Sequence, residues 1–255
     1  MASTASTRAR LAAAAIALLA ASAALADGES RTTTPQEKAY SLKIKKALHA
    51  AMTGVGRPDW NLPEEEVPAA DETAALDQQT RPYNVGYDLT LEIKPDSARL
   101  QKLSADMQAL MSQVQAGKMP ADYVARVNSM QHEQSPFIQV QTNAGAGTFS
   151  LFKENGGKWQ KIIVPGTKFA VRATKVQALT GGGDDSASDA TFLYLGSFAD
   201  PREKDDAYVE ADGGLKMASE LTLQNVFIRI EAPAPVADLL IKSMNLQSLN
   251  ALIGK

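Results

Sequence analysis

From Tyr83 to Lys94 apolar and polar positions alternate one for one. Tyr83, Val85, Tyr87, Leu89, Leu91 and Ile93 are apolar, and Asn84, Gly86, Asp88, Thr90, Glu92 and Lys94 between them are polar or glycine. Successive side chains of a strand point to opposite faces, so this stretch predicts a ribbon with one face in a core and the other in water. One wet face marks an antiparallel sheet, because parallel strands are covered on both sides. The run is longer than a usual strand of about 5–6 residues, and Gly86 is the expected place for a bend.

The pattern before this ribbon is helical. Thr34-Pro35-Gln36-Glu37 is a capping box with proline at the first helical position. The helix it starts carries Tyr40, Ile44, Ala47, Leu48 and Ala51 on one face and ends near Gly54, with Lys38, Lys45, Lys46 and His49 on a face read as solvated. Residues 55–82 read as a linker. Pro58, Pro63, Pro68 and Pro82 break any period, and the acids between Asp59 and Asp77 have no Lys or Arg among them. Trp60 and Leu62 are the residues there suited to docking.

After the ribbon, Leu100, Leu103, Met107, Leu110, Met111 and Val114 form the stripe of an amphipathic helix. Gly117 stops it, and a second helix from Pro120 carries Tyr123, Val124, Val127 and Met130, giving an αα-hairpin. From Pro136 the period changes to strands. Phe137 to Thr142 and Thr148 to Lys153 flank Asn143-Ala144-Gly145-Ala146-Gly147, a hairpin signal. Trp159 to Val164 and Lys168 onward are joined by a Val164-Pro165-Gly166-Thr167 type II turn. Ala190 to Phe198 is apolar on both faces, which places it centrally, and Leu221 to Glu231 turns Val226, Ile228 and Ile230 inward. A helix follows from Pro235, and Asn245 caps a short last one. The fold class expected is α+β: an antiparallel sheet with the αα-hairpin and a C-terminal helix packed on one face.

Composition narrows the class. The 255-residue chain is 44% hydrophobic and carries a formal charge of −3, which gives no support for a nucleic-acid partner. It has no cysteine, so disulfides and thiolate chemistry are excluded. Met1 to Ala26 reads as a signal peptide: Arg8 and Arg10, an apolar run from Leu11 to Ala23, then Ala24-Leu25-Ala26 before Asp27. The expected organisation is therefore 1–26 signal peptide, 27–82 N-terminal helix and Pro/acidic linker, and 83–255 α+β domain. The mature chain is expected to be periplasmic or extracellular, with no transmembrane segment.

Candidate chemistry is sparse. Ser150 and Lys153 have a serine–lysine spacing, but in a strand they point to opposite faces, so no catalysis is expected from them. The acids of residues 181–189 lack the spacing of a calcium loop. Gly157-Lys158 lacks the other positions of a phosphate loop. His49 and His132 are the only histidines; His49 reads as a surface residue, and His132 as a cation suited to the C-terminal end of the second hairpin helix. No cofactor and no metal are expected. Four of the eight methionines, Met107, Met111, Met119 and Met130, fall in the αα-hairpin. Methionine is over-used on surfaces that accept varied apolar partners, so these four are the expected contacts for an apolar ligand or partner. The reading that follows is a non-catalytic binding or scaffolding protein of the bacterial envelope. Its partner is an envelope protein or an apolar small molecule. The alternatives are a hydrolase with an Asp/Glu pair assembled by the fold, or a carrier of an apolar ligand under the hairpin.

Overall fold

The computed structural model describes residues 30–62, 69–75, 81–179, 187–205, 207–217 and 221–255. The expected signal peptide lies outside the described residues, as does most of the 181–189 loop. In chain order the elements are β1 Ser30–Thr32, α1 Pro35–Met52, β2 Trp60–Asn61, β3 Thr73–Ala75, β4 Gly86–Thr90 and β5 Glu92–Ile93. Helices α2 Ala98–Gln115 and α3 Tyr123–Gln134 follow, then strands β6 Phe137–Thr142, β7 Ala146–Ser150, β8 Lys158–Ile162, β9 Phe169–Gln177 and β10 Ala187–Gly196. The chain continues with β11 Arg202–Asp205, β12 Tyr208–Asp212, β13 Asn225–Glu231, α4 Ala234–Ser243 and α5 Leu246–Asn250.

The fold is α+β and antiparallel, built on a six-stranded sheet in the order β4-β6-β13-β10-β9-β8. β13 lies inside it because every one of its seven residues is buried. Its Val226, Ile228 and Ile230 turn to one face with Ile138, Val140, Leu193 and Leu195. That face is covered by helices: Tyr40, Ile44, Leu48 and Met52 of α1, and Val236, Leu240 and Leu249 of α4 and α5. The α2–α3 pair joins the same cluster through Leu103, with Leu100 and Met130 packed against it.

The other face of β13, β10 and β9 is also covered. Phe227, Phe192, Tyr194, Val171 and Ala173 meet Phe149, Val209 and Ala211 of a three-stranded sheet, β11-β12-β7. Phe149 stacks on Phe192 at 4.2 Å between ring centroids. The wet second face expected from the ribbon is thus kept at the sheet's edges: at β4, where buried and exposed residues do alternate, and at β8, where Lys158, Gln160 and Lys161 are exposed. The ribbon breaks at Leu91, whose amide donates to the Pro136 carbonyl at 2.9 Å, and not at Gly86.

Three local expectations are corrected. β6 and β7 do not form a hairpin: β6 pairs with β4 and β13, and β7 pairs with β12. The glycine-rich stretch between them carries the chain from one sheet to the other. The segment 55–82 is also more than a loose connector where it is described. Val55 and Trp60 are buried, Trp60 pairs with Ile93, and its indole N–H donates to the Glu133 carbonyl at 3.0 Å. Thr73–Ala75 pairs with Ser30–Thr32. The basic side of α1 recruits the acids left without partners in the sequence pattern. Lys45 bonds Asp71 at 2.6 Å and Lys38 pairs with Glu72, so these two lysines are clasped rather than solvated, while Lys46 stays exposed.

Candidate functional site

The described residues enclose a groove of about 750 Å³ between α3 and one end of the main sheet. Along α3, Ala125, Asn128, Ser129 and His132 recur at helical spacing and so share one wall with Val124, and Ala121 extends it from the turn before the helix. The opposite wall comes from three strands and a turn. Asn155 and Gly156 lie in the turn before β8, Lys158 begins that strand, Thr174 and Lys175 belong to β9, and Ser188 and Asp189 to β10.

A bulge shapes this wall. Ser188 pairs with Val176 and Ala190 with Ala173, so Thr174 and Lys175 together oppose Asp189. An extra residue on one strand bends it and re-aims its side chains. Lys175 takes the left-handed conformation (φ 52°), which L-residues other than Asn and Asp rarely adopt. Its amide donates to Asp189 Oδ1 at 3.4 Å, and its ammonium donates to the carbonyl of Asn155. Gly156 (φ 80°) closes the short 3-10 turn at Lys153–Asn155.

The lining is mixed in character. Asp122 pairs with Arg126 at 2.9 Å, and that hydrogen bond holds its carboxyl below its ordinary value. Ser188 is 4% exposed, and its hydroxyl finds no hydrogen-bond partner among the described residues. His132 lies in the last turn of α3, where a cation suits the helix end. Among the described residues no group of three His, Cys, Asp or Glu is placed to hold a metal ion.

The four methionines occupy different surroundings, and none lines this groove. Met130 packs against the helix-side core and Met107 is half-buried. Met111 is 41% exposed and accepts from the Tyr123 hydroxyl at 3.8 Å, and Met119 is 65% exposed. Met111, Met119 and Val124 thereby leave apolar surface on the hairpin. Ser150 and Lys153 have separate partners: Ser150 belongs to β7, while Lys153 pairs with Glu203 at 2.7 Å. Lys175 and Ser188 escaped the sequence reading, since no pattern marks a lysine held at positive φ.

A second polar cluster is buried in β13. Arg229 pairs with Glu231 at 2.5 Å, and the Arg229 guanidinium lies 5.6 Å from the centre of the Phe192 ring. Burial pulls the Arg229 pKa down, while Glu231 opposes that shift. Arg229 also donates to the Gln177 carbonyl, and Leu179 donates to Glu231 at 2.7 Å. The pair therefore fastens the end of β9 to the central strand. Elsewhere, burial raises the pKa of Asp88, but its cross-strand neighbour is Gln139 and not a second acid.

Comparison with protein-family models, with curated proteins and with solved structures finds no match to this chain.

Proposed function

We propose that the chain is an exported, non-catalytic binding or scaffolding protein of the bacterial envelope, periplasmic or extracellular, whose ligand site is the groove between α3 and the sheet. The groove itself is the observation that carries this reading. Its volume falls in the range of about 300–1,000 Å³ usual for ligand pockets, and it is walled by regular elements rather than by one loop. Export is supported by the signal-peptide pattern of Met1 to Ala26. Among the described residues no helix is long and apolar enough to cross a membrane.

Of the groove carboxylates, Asp122 suits binding rather than acid catalysis. A general acid needs a raised pKa, whereas the carboxyl of Asp122 is lowered by Arg126. A screen of the purified protein against glycan, ester and peptide substrates separates the two. The expected result is no turnover. Turnover abolished by a single Asp or Glu substitution overturns the reading in favour of a hydrolase.

The exposed Met111, Met119 and Val124 favour a second reading, in which the hairpin takes an apolar ligand or partner segment. Under it, Met111→Ala leaves stability nearly unchanged and lowers uptake of an environment-sensitive apolar dye. Wild-type protein that takes up no dye contradicts it.

A further inference from the structure

We infer that the groove contains an anion-binding subsite, formed by Lys158 and Lys175 with His132 on the facing helix, which receives the carboxylate or phosphate group of a small hydroxylated ligand. This rests on the groove being the ligand site, and it names the chemistry that the site takes.

The charge balance is the first support. Arg126 answers Asp122, which leaves Lys158 and Lys175 against Asp189 alone. Lys158 is exposed at the start of an edge strand, with no ion-pair partner among the described residues. An ammonium has three donors, and Lys175 directs one to the Asn155 carbonyl. The others remain for a ligand.

The backbone of Lys175 is the second support. A left-handed position favours glycine, and placing a long side chain there adds strain. Lys175 is exposed, so packing gives nothing in return. Delivery of an ammonium to the rim of the groove accounts for a lysine at this place. Ser188 adds a third observation: its buried hydroxyl borders the groove without a partner, and an entering ligand oxygen would satisfy it after a small local shift. Asn128, Ser129 and Thr174 supply further polar groups suited to hydroxyls.

The alternative role for Lys175 is a brace for the turn at Asn155, and glycine separates the two. Inorganic phosphate, glucuronate and neutral maltose are titrated into the full-length protein at low ionic strength, followed by two-dimensional NMR. Wild type is compared with Lys175→Gly and Lys158→Ala. Glycine accepts the positive φ, so Lys175→Gly is expected to keep or raise the melting temperature. It is also expected to weaken phosphate and glucuronate binding about tenfold or more, as loss of a charge-assisted contact does. Equal anion binding by wild type and Lys175→Gly, or shifts confined to residues outside the groove, overturns the inference. If maltose shifts groove resonances and neither anion does, the anion chemistry is wrong and the groove reading stands. If none of the three shifts them, the anion chemistry fails and the groove reading loses its support as well.

Discussion

The backbone amide of Asn143 donates to the carbonyl of Asn225 at 3.0 Å, and each side chain serves the backbone beside the other. Asn143 Oδ1 accepts from the Gln224 amide at 2.7 Å, and Asn225 Oδ1 accepts from the Ala144 amide at 2.8 Å. Asn143 also donates to the Tyr83 and Thr222 carbonyls, and Asn225 to those of Ala144 and Gly213. Here the chain leaves the six-stranded sheet for the three-stranded one, so its backbone groups have no ladder partners and the two asparagines replace them. Asn143 is left-handed (φ 49°), a conformation that asparagine tolerates. A Cβ at Gly213 would sit on the Ala144 carbonyl, which keeps that crossing tight.

Asn225→Ala leaves the Ala144 amide and carbonyl without the side-chain partner, while the Gly213 carbonyl keeps the Ser197 hydroxyl. It is predicted to cost about 2–4 kcal/mol, at about 1–3 kcal/mol for each unsatisfied group with some relief from relaxation. Asn143→Gly keeps the backbone conformation available, so its predicted loss of about 1–3 kcal/mol reports the side-chain bonds. Urea unfolding measures both. A change below about 0.5 kcal/mol in Asn225→Ala, the scale of ordinary surface substitutions, contradicts the role given to this pair.

Glu37 makes stability depend on acid pH. Its carboxylate accepts from the Arg31 guanidinium at 2.8 Å and from the Thr34 amide at 2.7 Å. The hydrogen bond from Arg31 is the main cause that pulls its pKa from 4.5 to about 2. A folded value below the unfolded one means that the contribution is complete above about 4.5 and is lost as pH falls toward about 2. Glu37→Gln is therefore predicted to be less stable than wild type at pH 6 by about 1–3 kcal/mol, the worth of a charged hydrogen bond. Its profile is also predicted to be flatter between pH 4.5 and 2, the window that the shift defines. Parallel stability profiles for the two proteins would contradict the ion pair.

A chain beginning at Tyr83 tests the expected boundary after residue 82. It lacks Tyr40, Ile44, Leu48 and Met52 of α1 and also Trp60, all buried in the helix-side core. Fully burying such side chains contributes about 1.5–3 kcal/mol each before entropy is counted. The shortened chain is predicted to lose its cooperative thermal transition. A melting temperature equal to that of residues 27–255 would show that α1 is an appendage.

Much of this fold is legible in the sequence wherever local rules act alone. The Thr34–Glu37 capping box forms as its spacing requires, Gly117 ends α2 at φ 72°, and Gly166 (φ 86°) turns the chain before β9. The apolar character of β10 on both faces correctly marks an interior strand. What misled were features decided at long range. A glycine-rich connection serves a hairpin and a crossing between sheets equally well, and only the partner strand, β12, settles which. Prolines and acids at residues 55–82 resemble a linker until the lysines of α1 are placed beside them. The groove was the least legible part, because its two walls lie far apart in the chain and its distinctive residue is a lysine in a conformation that no sequence pattern encodes.

Native mass spectrometry of the protein taken from its own compartment tests the groove most directly, with Ala125→Trp as the comparison. Ala125 lines the groove from α3 and is exposed, so tryptophan fills the site without entering the core. The account predicts a bound small-molecule mass on the wild-type protein that is absent from Ala125→Trp, with both proteins melting alike. A bare mass for both, or the same bound mass on both, would contradict it.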